Sequence, residues 1–180
     1  MNVNFQTAEK GGKSATVEWY TPPEFIQALG KFDLDPATCE AAIKLNNSAS
    51  KYYTKEDNGL IKGWFGRVWL NPPYQNPDIK LFMQKMADHN NGIALVFNRC
   101  DSYWFQEHVL GRADSIFFLQ SRIRFLRPDG TRGDSPGAGS VLIAYGEHNT
   151  EALANSGFKG KLMKLVNIEV SNVQLGLNFM

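Results

Sequence analysis

The chain is expected to fold as an α/β domain, a mostly parallel sheet flanked by helices with antiparallel strands at the C-terminal end. Three observations predict it. Short apolar runs alternate with segments of helical period. "GIALVF", residues 92 to 97, is a continuous apolar strand of the kind buried on both faces of a parallel sheet. "SIFFLQ", "RIRFL" and "SVLIAYG" follow one another without helices between them, which requires antiparallel pairing.

The elements follow in order. A polar, glycine-containing stretch, residues 1–15, is expected to be a flexible leader, with residues 16–180 forming one domain. In "TPPEFIQALG", Thr21 is placed as the N-cap of a short helix, Pro22 at its first position, Glu24 completing a capping box and Gly30 closing it. "KFDLD" alternates Phe32 and Leu34 with Asp33 and Asp35, a strand with both carboxylates on one side. A helix over residues 38–45 and a short strand in "KYYT" precede the turn "EDNG". "GRVWL" is the next strand. Asn76 caps a helix begun by Pro77, with Ile79, Phe82, Met83 and Met86 on one apolar face. Another helix starts near Ser102 and stops at Gly111, and the last segment holds a short helix in "TEALANS" and one strand within "KLMKLVNIEV".

The composition sets bounds. With 180 residues, 43% hydrophobic and 21% charged, the chain is of ordinary globular composition and can bury a sizeable core. Its formal net charge of +1 leaves a nucleic-acid partner open, since binding needs a basic patch and not a basic total. Cys39 and Cys100 lack the spacing of a zinc site or disulfide framework, so a reducing cytoplasm and no metal are expected. His89, His108 and His148 sit in dissimilar contexts and read as surface residues. No run is long and apolar enough for a membrane span.

The stretch "VWLNPPYQNPD", residues 68–78, sets an apolar strand against two prolines and a tyrosine. Each proline fixes its own φ and pushes the preceding residue out of helical geometry, so Asn71-Pro72-Pro73 is a stiff corner. Prolines lack an N–H, which leaves the Pro72 carbonyl and the Asn71 side-chain oxygen as acceptors able to converge on an NH₂ group. Tyr74 follows as a flat face for a planar conjugated group. An aromatic amine such as N6 of adenine is a poor nucleophile because its lone pair is delocalised. Two acceptors on its hydrogens favour the pyramidal form that can attack an electrophilic methyl carbon. The plain alternative is a Pro-Pro loop that merely ends a strand, but this tetrapeptide arises by chance in only about one chain in a thousand of this length.

"NPPY" resembles the catalytic (D/N)PPY motif of S-adenosylmethionine-dependent amino-methyltransferases. The ordered set "EWYTPPEF", "FDLDPAT", "KYYTKEDNGL", "VWLNPPY", "DSYWF" and "RIRF" is similar to the phage-type DNA N6-adenine methyltransferases, the Dam family of phages and prophages, from Glu18 to Tyr145. The resemblance implies a Rossmann-like methyltransferase fold, S-adenosyl-L-methionine as cofactor, double-stranded DNA as partner, and a catalytic set of Asn71, Pro72 and Tyr74. The helix start at Thr21 and Pro22 would hold the cofactor's carboxylate through free N–H groups and the helix dipole. Asp33 or Asp35 would pair with its ammonium, and Asp57 resembles the acidic position that contacts its adenosine part. "DPATCE" departs from the wider methyltransferase pattern by lacking a glycine-rich turn after the strand.

Arg122, Arg124, Arg127 and Arg132, interleaved with Phe125, suit phosphate contact and base stacking, with a solvated hairpin face as the competing reading. Two other functions remain open: an amino-methyltransferase acting on protein glutamine or RNA, and a catalytically silent nucleic-acid-binding relative. The target sequence, oligomeric state and biological role are not legible in one chain.

Overall fold

A computed structural model of the protein describes residues 20–166. The expected leader and the end of "KLMKLVNIEV" lie outside the described residues. Seven strands form one sheet, β1 (Leu34–Asp35), β2 (Lys51–Tyr52), β3 (Val68–Leu70), β4 (Gly92–Phe97), β5 (Ser115–Leu119), β6 (Ser140–Tyr145) and β7 (Gly160–Lys164), in the order β2-β1-β3-β4-β6-β5-β7. The pairs β1/β2, β1/β3 and β3/β4 are parallel, whereas β4/β6, β5/β6 and β5/β7 are antiparallel. The sheet is therefore mixed in equal parts and not mostly parallel. The α/β class and the antiparallel C-terminal end agree with the sequence reading.

Alternation along the strands sends side chains to two cores. Val68, Leu70, Ala94 and Val96 pack on one face with Ile79, Phe82, Met83 and Met86 of α3 (Asp78–His89), as the spacing of those four residues predicts. Trp69, Ile93, Leu95 and Phe97 pack on the other face with Ile26 of α1 (Pro23–Gln27) and Leu153 of α5 (Glu147–Ala154). Both faces of β4 are thus covered, which explains its unbroken apolar run. Helix α2 (Glu40–Asn46) joins β1 to β2. After β4, the chain turns through α4 (Tyr103–Phe105) into a π-helical stretch, Gln106–Leu110, that ends at Gly111.

Several local expectations are corrected. The N-cap of α1 is Pro22, with no side-chain capping bond, so Thr21 and Glu24 form no capping box. Pro22 has no side-chain oxygen to accept a first-turn N–H, the role expected of Thr21, and Glu24 pairs with Arg132 instead. Helix α3 starts after Pro77, and Asn76 makes no capping bond. "RIRFL" forms no ladder strand, and Leu126 alone makes isolated bridges, to Tyr20 and Arg132. Its buried Ile123 and Phe125 alternate with exposed Arg122 and Arg124, so the period-2 pattern is real and reflects a loop laid along the core.

Candidate active site

The parallel strands position the site. From β1 the chain goes to β2 on one side and to β3 on the other, so the strand order switches at β1 and β3 and opens a crevice beyond their carboxyl ends. A cavity of about 280 Å³ lies there. Pro36, Ala37 and Thr38 after β1, Thr54, Lys55, Asn58, Gly59 and Leu60 after β2, and Pro73 and Gln75 after β3 contribute to its walls. Phe82 and Asp78 of α3 complete them.

Asn71 follows β3 directly. Its Nδ2 donates to Thr21 Oγ1 at 3.3 Å, and Thr21 is buried and held in turn through its carbonyl, which accepts from Asn46 Nδ2 at 3.4 Å. With Nδ2 engaged, the amide oxygen is left to accept. The Pro72 carbonyl accepts no hydrogen bond from the described residues. The corner thus carries two acceptors on consecutive residues, one of them on a side chain held by a residue of a different segment.

Tyr74 packs its ring on Phe97 at 4.9 Å between centroids, and Phe97 in turn meets Phe125 edge-on at 6.3 Å. Its hydroxyl accepts from the Phe97 N–H at the end of β4. Burial pushes the Tyr74 phenol well above its ordinary value, so it stays protonated at neutral pH and is no general base.

The acidic residues separate. Asp33 is exposed and its Oδ2 accepts the Arg67 N–H at 2.7 Å, which ties the loop before β3 to the start of β1. Asp35 is buried at the end of β1, where Oδ2 accepts from Ser48 Oγ at 2.5 Å and Oδ1 from the Ala37 N–H at 3.2 Å. Burial raises its carboxyl to about 6, against the opposing pull of the Ser48 bond. No lysine, arginine or histidine among the described residues forms an ion pair with it. Asp57 closes the turn after β2 by accepting from the Thr54 N–H at 2.9 Å and from Thr54 Oγ1 at 3.2 Å, and the Thr54 N–H holds its carboxyl below the usual range. Both Asp35 and Asp57 brace turns that line the cavity.

The arginines divide differently from expectation. Arg122 donates to the Pro136 carbonyl at 2.8 Å, Arg127 to the Arg132 carbonyl at 2.9 Å and to Asp134 at 3.4 Å, and Arg132 pairs with Glu24. Of these four, Arg124 alone is exposed with no side-chain partner among the described residues. Phe125 is buried against Phe97 and offers no face to a base. Among the described residues no cluster of three potential metal ligands occurs, and no helix is long and apolar enough to cross a membrane.

Sequence reasoning missed Lys85, Trp64 and Gly59. Lys85 Nζ donates to the carbonyls of Gly59, Leu60 and Lys62 at 3.1, 2.7 and 2.6 Å. Carbonyl partners leave no mark in a sequence, and Lys85 lies on the polar side of the helical pattern.

The fold and the corner define an α/β protein with an amide-and-carbonyl acceptor pair at the switch point of its sheet. A family model described as DNA N-6-adenine-methyltransferase (Dam) matches residues 10–164, and the chain belongs to that family. The DNA N-6-adenine-methyltransferase of Escherichia phage T1 is 40% identical over 110 residues, a stretch covering 55% of this chain and 43% of the phage protein. The chain therefore matches less than half the length of that relative. No solved structure matches. The resemblance carried by the six ordered motifs is borne out.

Proposed function

We propose that the protein is an adenine-specific DNA methyltransferase that moves a methyl group from S-adenosyl-L-methionine to N6 of adenine in double-stranded DNA. The observation that carries this reading is the Asn71 amide, held by Thr21 beside the Pro72 carbonyl at the end of β3. Membership of the family supports it.

The residues around the cavity suit the cofactor. Pro36, Pro73 and Phe82 supply apolar walls for a nucleoside, Thr38, Thr54 and Gln75 supply polar groups, and the uncompensated Asp35 carboxyl near the turn has the charge to complement an ammonium. When bound, S-adenosylmethionine supplies an electrophilic methyl carbon. In this reading Asp35 supplies that charge and also braces the turn after β1, whereas Asp57 serves the cofactor through the turn it braces. Thr21 serves Asn71, Pro22 and the α1 start lie beside it, and Asp33 keeps the β3 approach in place.

Adenine inside a duplex is out of reach, so the base must be rotated out at a cost of a few kcal/mol. Tyr74, braced by Phe97, offers the ring on which it stacks. Asn71 Oδ1 and the Pro72 carbonyl then accept the two N6 hydrogens, which frees the lone pair for in-line attack. Neither oxygen is basic enough to keep the proton that leaves after transfer, and it passes to water.

The test is incubation of the protein with isotopically labelled cofactor and, separately, unmethylated DNA, RNA and protein, followed by nucleoside and amino-acid analysis. Label in N6-methyladenine of DNA is the expected outcome. Label on glutamine or RNA alone would replace the reading with the broader amino-methyltransferase one.

A further inference from the structure

We propose that Lys85, with Trp64, is a positioning residue that sets the width of the cavity beyond β1 and β3 and thereby the affinity for the nucleoside part of the methyl donor. This rests on the function proposed above. The wall in question is the loop after β2, whose Asn58, Gly59 and Leu60 line the cavity. Nothing in that loop pairs with a neighbouring strand, because β2 ends at Tyr52. Bonds within the loop, such as Asn58 N–H to the Thr54 carbonyl at 3.1 Å, shape its turns, and Lys85 of α3 ties those turns to the body of the domain.

Lys85 reaches from α3 and places all three ammonium donors on loop carbonyls, those of Gly59, Leu60 and Lys62, between 2.6 and 3.1 Å. Trp64 adds a second tie, donating from Nε1 to the same Gly59 carbonyl at 2.8 Å. Its ring stacks on Phe82, another cavity residue, at 6.4 Å, and carries the Lys85 ammonium 5.4 Å from its centroid. Burial lowers the Lys85 pKa with no carboxylate to offset it, so the three carbonyls are the partners that hold its charged form.

On the far side the loop meets the turn after β1. A Cβ built on Gly59 would lie 1.9 Å from the Pro36 carbonyl oxygen, so the two cavity walls touch at this glycine. A side chain there would force them apart. The gap between the walls is therefore fixed at one edge by the Gly59–Pro36 contact and from behind by Lys85 and Trp64. Lys85 touches neither of the acceptors at the Asn71 corner in any hydrogen bond, so its influence falls on binding and not on the methyl-transfer step.

The experiment measures S-adenosylhomocysteine affinity by calorimetry, and KM and kcat for the methyl donor, in the full chain and in Lys85→Met and Lys85→Gln. Each variant is checked by its melting temperature. The loss of all three donors in Lys85→Met, and of at least one in the shorter Lys85→Gln, is expected to weaken S-adenosylhomocysteine binding, on the order of tenfold for Lys85→Met, and to raise KM with kcat little changed. A lower melting temperature with unchanged affinity would make Lys85 a fold-stabilising residue and overturn the proposal, as would failure of both variants to fold. A fall in kcat alone would overturn it too. Absence of binding by the wild-type chain would instead strike at the function on which the proposal rests, which keeps the two failures apart.

Discussion

Asn71 Nδ2 donates to Thr21 Oγ1 at 3.3 Å across fifty residues of sequence, so the residue ahead of the first helix orients the amide at the strand-end corner. Replacing Thr21 with valine keeps the volume and removes the acceptor. One neutral hydrogen bond is worth about 1 kcal/mol, so single-turnover methyl transfer should fall about fivefold, and serine should restore it. Equal rates in all three forms would remove Thr21 from the site.

The hydroxyl and ring of Tyr74 have separable tasks. Tyr74→Phe removes the acceptor used by the Phe97 N–H and should lower stability by about 1 kcal/mol while keeping most activity. Tyr74→Ala removes the face as well and should lose about 1 to 3 kcal/mol of base positioning, partly recovered on a duplex with the target adenine mismatched. Thermal melts and single-turnover assays of both variants decide it, and equal loss of activity in the two would end the stacking role.

Asp35 sets a pH dependence of stability. Its folded carboxyl is raised to about 6 from an ordinary value of 3.8, so between these values the native state binds more protons than the unfolded chain. Stability should therefore be highest below the unfolded value and fall as pH rises through about 6, by up to roughly 3 kcal/mol from this group alone. Asp35→Asn should flatten that fall in melts compared at pH 5 and pH 7.5. A wild-type curve that rises across the same window, with the variant parallel to it, would refute the assignment.

For the arginines, the expected contrast is between Arg124 and Arg132. Arg124→Gln should reduce the slope of log K for DNA against log salt by about 1, as one lost phosphate contact does. Arg132→Gln should leave the slope nearly unchanged, because its guanidinium pairs with Glu24. Binding isotherms between low and moderate salt measure both, and the reverse ranking would place the DNA surface elsewhere.

What the sequence shows and hides follows from the kinds of contact involved. The α3 face and the two-sided burial of β4 were legible because apolar period reports packing directly. The Asn-Pro-Pro-Tyr corner was legible because proline restricts the backbone by itself. The capping box at Thr21 was misread because the prolines that follow it decide the local geometry, and Thr21 Oγ1 serves a residue far along the chain. "RIRFL" carries the alternation of a strand yet packs as a loop, since periodicity reports which side is buried and not which neighbour is hydrogen-bonded. The separation of Asp33 from Asp35 was hidden for a similar reason. Their partners, the Arg67 N–H and the Ser48 hydroxyl, come from segments that only the fold brings together.

The most direct measurement is single-turnover methylation by Asn71→Ala with S-adenosylhomocysteine affinity determined on the same preparation. Losing one preorganised acceptor should cost about 3 kcal/mol or more of transition-state stabilisation, a rate loss of at least about a hundredfold, with affinity unchanged. Near-normal chemistry at saturating cofactor, with the affinity lost, would contradict the account by making Asn71 a cofactor ligand and leaving the corner without its catalytic acceptor.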